Sequence, residues 1–182
     1  MGIRVKSNIS PNTVPQSQSE DQLMATRAEI DAVVDKAKEL LLDSGIDVDA
    51  TTDDLIEWLD TELTIPDIAL GDVVMDPLLV AHELVEIDEL LKMGLILAKD
   101  VIKKNPEKVD DAHLKATTIE MKIAHSIGAA EHLRSRIKDM ESRCVDKALS
   151  ESRRAEYRGH LKTAKNYLSE LERGQPRESS RA

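Results

Sequence analysis

The sequence of this 182-residue chain predicts an all-α fold, about five helices around one central apolar helix, on the strength of three observations. Apolar residues recur at helical spacing through most of residues 20–173, helix start and stop signals punctuate that stretch, and the chain holds no Phe. With Trp58, Tyr157 and Tyr167 as its aromatics, the core has to be built from Leu, Ile, Val, Met and Ala, the palette of a helical bundle. One helical domain over residues 20–173 accounts for the length.

Residues 1–19 are rich in Ser, Asn, Gln and Pro and too poor in apolar side chains to offset their ordering entropy, so they read as a disordered leader. The first helix is expected from about Glu20 to Ser44, with Leu23, Ile30, Val33, Val34, Ala37, Leu40 and Leu41 in helical spacing and Gly45 as its stop. After a loop through Ile46 to Ala50, Thr51 or Thr52 caps a short second helix that carries Leu55, Ile56, Trp58, Leu59 and Leu63. Ile65 to Met75, with Pro66 and Gly71, reads as an irregular connection.

Asp76-Pro77 is a strong start signal, Asp as cap and Pro at the first helical position. The third helix it opens, over about 77–104, is apolar on nearly every side, which marks it as the buried central one. Asn105-Pro106 breaks the chain. A fourth helix from Glu107 or Lys108 to about Arg143 follows, with Gly128 as its soft point. A charged fifth helix, about Ser150 to Glu172, carries a thin seam of Ala155, Leu161, Ala164, Leu168 and Leu171, and the polar residues 174–182 read as a disordered tail.

The net charge of −10 conceals an asymmetry: residues 1–133 hold 12 Lys/Arg against 27 Asp/Glu, and residues 134–182 hold 13 against 8. Pairing of the basic end with the acidic helices of the same bundle accounts for this. Glu141, Glu151, Glu156 and Glu170 interrupt the basic residues and so disfavour a nucleic-acid stripe. No apolar run approaches the ~20 residues of a membrane span, the first twenty residues hold no signal-like stretch, and Cys144 is the sole cysteine. A cytoplasmic protein is expected, without disulfide or cysteine-based zinc cage.

The chemistry is expected on the central helix. His82, Glu86, Glu89 and Met93 follow i, i+4, i+7, i+11 spacing and share one stripe, within about 60° at 100° per residue. On the fourth helix His113, Glu120 and Glu131 fall within about 20° of one another by the same arithmetic. Two antiparallel helices offering His and Glu in this way can hold zinc, iron or manganese between them, and the ion would supply the charge that makes buried carboxylates tolerable. The expected ligands are His82, Glu86, Glu89, His113 and Glu120, with Glu131 a weaker sixth. A plain i, i+4 hydrogen-bonded His82–Glu86 pair is the competing account, since the Glu-x-x-His pairing of ferritin-like sites is absent. His125 and His132 share a packing stripe with Leu114 and Met121, and His160 reads as a surface residue.

Two further readings stand beside the metal. Glu83-x-x-Glu86 followed by Glu107-x-x-Asp110 resembles the four-carboxylate spacing of the all-α nucleoside triphosphate pyrophosphohydrolases. That resemblance implies magnesium bound by those four residues, with Lys99, Lys103, Lys104 and Lys108 near the phosphates. Alternatively the chain is a non-enzymatic interaction module: an apolar helix that needs cover on every side, together with the charge split, leaves room for a homodimer or a protein partner.

Overall fold

The computed structural model describes residues 26–59 and 76–174. The expected leader, the connection from Ile65 to Met75 and the polar tail from residue 175 lie outside the described residues. Those described form seven helices and no strand: α1 (Arg27–Asp43), α2 (Thr52–Leu59), α3 (Pro77–Lys92), α4 (Val101–Lys104), α5 (Pro106–Ser126), α6 (Ala130–Val145) and α7 (Glu151–Gly174).

The helix starts follow local chemistry. Thr26 and Glu29 close a reciprocal capping box at α1, and the Asp76 side chain accepts from the Leu78 N–H at 2.8 Å ahead of Pro77. Three helices end in the same way, each on a glycine with positive φ: Gly45 at 76°, Gly94 at 74° and Gly128 at 76°. In each, the next residue donates to the carbonyl five positions back, Ile46 to Leu41, Leu95 to Leu90 and Ala129 to Ala124, while the glycine N–H donates to a second carbonyl.

Two of these stops change the predicted layout. The central helix expected over 77–104 ends at Lys92, because Gly94 turns the chain and Leu95 to Asp100 leave the helical path. Leu97 and Val101 nevertheless fold back into the core, at 3% exposure each. The long fourth helix is divided at Gly128 into α5 and α6. The ion-pair partners of the basic end lie partly on the acidic helices, as Arg136–Glu120 and Arg153–Asp110 show.

α3 is the most buried element, its 16 residues packed among α1, α2 and α5, with Leu84, Ile87 and Leu90 fully enclosed. α3 and α5 run antiparallel, since His82 meets Glu120 while Glu89 meets Lys115. α7 packs along α6 and closes over α5. The two polar stripes therefore face each other across the α3–α5 seam.

Candidate metal centre

His82 and Glu86 stand one turn apart on α3, buried at 2% and 4% exposure, opposite His113 and the fully buried Glu120 of α5. Three ligand atoms converge. His82 Nε2 lies 3.1 Å from His113 Nδ1, His113 Nδ1 lies 3.1 Å from Glu86 Oε2, and His82 Nε2 lies 3.3 Å from Glu86 Oε2. An ion bonded at about 2.0–2.1 Å separates neighbouring ligand atoms by about 3.0 Å in octahedral geometry and about 3.4 Å in tetrahedral geometry. The observed triangle falls between these values, so it matches one face of either polyhedron, and this buried group could hold a metal ion.

Behind the triad, the second nitrogen of His82 is already spoken for. Its Nδ1–H donates to Glu120 Oε2 at 2.7 Å, which leaves Nε2 aimed at the triangle. Glu120 Oε1 in turn accepts from Arg136 Nε at 2.6 Å and from His132 Nε2, and His132 Nδ1 lies 3.2 Å from Asp76 Oδ2. A carboxylate that fixes the tautomer and orientation of a ligating imidazole is the usual support of a metal histidine.

The electrostatics follow from burial and pairing. Burial alone would strip the proton from His82, but the Glu120 and Glu86 carboxylates overcome it and push the imidazole up to about 10. Burial works against the Glu86 charge as well, yet hydrogen bonds from His113 and His82 hold it down to about 2. Glu120 stays well below the usual carboxylate range against its own burial, through His82, His132 and Arg136. With no ion bound, then, a proton on His82 neutralises the same carboxylates that an ion would.

The triad opens on a cleft of about 760 Å³ between α2, α5 and the α6–α7 turn. Glu86 and His113 are among its lining residues, as are Arg143, Leu149 and Arg153. Glu83 faces the cleft and accepts from Trp58 Nε1 at 2.7 Å; the surrounding protein pushes its carboxyl up, the opposite direction to Glu86.

Not every expected ligand reaches the triangle. Glu120 sits behind His82 and supports it. Glu89 turns to Lys115 Nζ at 2.7 Å and Lys92 Nζ at 3.7 Å, away from the converging atoms. Glu131 is not on the helix of His113 at all: the turn at Gly128 moves it to α6, where it is exposed and pairs with Arg134. His125 stacks on Tyr167, with ring centroids 4.5 Å apart, and pairs with Glu170, while His160 Nδ1 meets the Thr118 hydroxyl at 3.1 Å. The stripe expected to join His125 and His132 is likewise divided at Gly128, with His125 on α5 and His132 on α6; the pairing of His132 and Arg136 with Glu120 is what sequence reasoning missed.

The four carboxylates of the Glu-x-x-Glu, Glu-x-x-Asp pattern all line the cleft, but they do not converge on a point. Asp110 is held by Arg153 Nε at 2.6 Å and by the Tyr157 hydroxyl at 2.9 Å. Lys99, Lys103, Lys104 and Lys108 are not among the lining residues. No helix among the described residues is long and apolar enough to cross a membrane. No family model matches the chain, and no curated protein and no solved structure is significantly similar to it.

Proposed function

We propose that this chain binds one divalent transition-metal ion through His82 Nε2, His113 Nδ1 and Glu86 Oε2, and that the ion serves chemistry in the adjoining cleft. The convergence of those three atoms, with sides of 3.1, 3.1 and 3.3 Å, carries the reading. Two imidazoles and a carboxylate suit zinc, iron or manganese. Three protein ligands with a free side toward a cleft are the arrangement of a reactive ion, whereas a structural zinc has four protein ligands. When bound, such an ion supplies Lewis acidity. The protein contributes the fixed His82 tautomer, set by the fully buried Glu120 behind it.

X-ray absorption on the zinc-loaded chain tests the ligand set. Two imidazole shells with nitrogen at about 2.0–2.1 Å and a carboxylate oxygen at similar range are expected. A shell of oxygen alone would place the ion elsewhere.

One observation favours a second reading: Glu83, Glu86, Glu107 and Asp110 share the cleft wall. For them to hold magnesium against a nucleotide phosphate, Asp110 would have to release Arg153. Magnesium-dependent release of pyrophosphate from a nucleoside triphosphate, abolished by Glu107→Gln, would move this reading ahead of the first.

A further inference from the structure

Most polar groups of the cleft are paired within the protein, Glu107 and Arg143 excepted among the described residues. Arg153 takes Asp110 and Asp111, each at 2.6 Å, Trp58 donates to Glu83, and Asp146 Oδ1 accepts from the Ala148 N–H at 2.8 Å. Arg143 is different. Half-buried in the lining of the same cleft as the triad, its guanidinium makes no hydrogen bond or ion pair among the described residues, although six carboxylates line the cleft with it. A guanidinium carries a planar fork of donors suited to a carboxylate or phosphate, and removing it from water without such a partner is costly. The lining is apolar in part, through Leu59, Ile102, Val109 and Leu149. A volume near 760 Å³ is that of a small-molecule site.

We propose that the cleft takes a small organic oxyanion, whose charged end pairs with Arg143 while its body rests on the apolar lining and a second polar group reaches the metal triad. This rests on the metal reading for the triad end and on Arg143 alone for the other. Carboxylates and phosphate esters offer Arg143 the same forked oxygen chemistry.

The test uses the full chain after zinc loading, with zinc per chain measured on every sample. 4-Hydroxybenzoate and 4-hydroxyphenylphosphonate are titrated calorimetrically into the wild type, Arg143→Ala and Arg143→Lys, with 4-hydroxybenzyl alcohol as the uncharged control. Because the Arg143 guanidinium makes no hydrogen bond or ion pair among the described residues, Arg143→Ala should fold and keep its zinc, as circular dichroism and the zinc assay will report. At least one oxyanion is expected to bind, with affinity about tenfold or more weaker in Arg143→Ala, intermediate in Arg143→Lys, and far above that of the alcohol. Which of the two binds more tightly identifies the class as carboxylate or phosphate. Equal binding to the wild type and Arg143→Ala, or none to either, with one zinc per chain, overturns the inference and leaves the metal reading standing. Arg143-dependent binding to a chain that takes no zinc sinks the metal reading and still supports the oxyanion site.

Discussion

Between Glu86 and Glu120 the His82 ring holds a proton, because the buried carboxylate on each side of it needs a positive charge, a role that an ion at the triad would take over. The sign of the pH dependence follows. In the metal-free chain His82 keeps its proton up to about pH 10, against 6.5 for the ordinary side chain. Its stabilisation is therefore complete below about 6.5 and is lost as pH rises toward 10; urea unfolding of metal-free protein across that window should show the decline. Glu86 acts at the other end: its contribution is full above its ordinary 4.5 and disappears as pH falls toward about 2. An ion must displace the His82 proton, so zinc affinity should rise by about tenfold per pH unit below the raised value. Glu120→Gln keeps the shape but loses the charge that orients His82, and should cost about 10–100-fold in zinc affinity by competition with a chelator. His82 and Glu86 were legible because helical spacing alone puts them on one stripe. His132 and Arg136 were not: on an unbroken helix His132 would lie about 18 Å along the axis from Glu120 and 120° around it. The reversal of the chain at Gly128 brings both back to the same carboxylate.

That reversal is one of three glycine stops, and they differ in how well the sequence announces them. Gly45 follows a clear amphipathic stretch and precedes Ile46 to Ala50, where apolar residues alternate with Asp47 and Asp49 and the helical spacing stops, so the end of α1 is plain. Gly94 is masked by Leu95, Leu97 and Val101, which continue the apolar pattern yet pack as a returning loop and a four-residue helix. Periodicity reports burial, and burial here is shared by helix and loop. At Gly128 a Cβ would meet nothing within 4 Å, so replacement costs only backbone strain at φ +76. Gly128→Ala should destabilise the chain by about 1 kcal/mol in thermal or urea unfolding. Zinc affinity should fall only if the α5–α6 turn loosens enough to withdraw Arg136 from Glu120.

For the molecule as a whole, the buried charges have a consequence for stability. An ion held by the His82–Glu86–His113 group in the native state and not in the unfolded one would stabilise the fold by mass action. At a hundredfold excess over its dissociation constant, zinc should raise the unfolding midpoint by about 5–10 °C, measured by scanning calorimetry. The acidic excess of the first 133 residues and the basic end are partly joined by the same packing, since Arg136 and Arg153 both turn toward carboxylates of α5. The metal content of the full chain, purified without a histidine tag and supplied with zinc, iron and manganese, decides whether the His82–Glu86–His113 group holds an ion. His113, the most exposed of the three at 32%, can be replaced with the least damage to the core. Close to one ion per chain in the wild type, falling to a small fraction in a folded His113→Ala variant, is the result expected. A wild type that takes up no ion from any of the three, or a variant that keeps it in full, would contradict the metal centre and leave His82 as the protonated link between its two carboxylates.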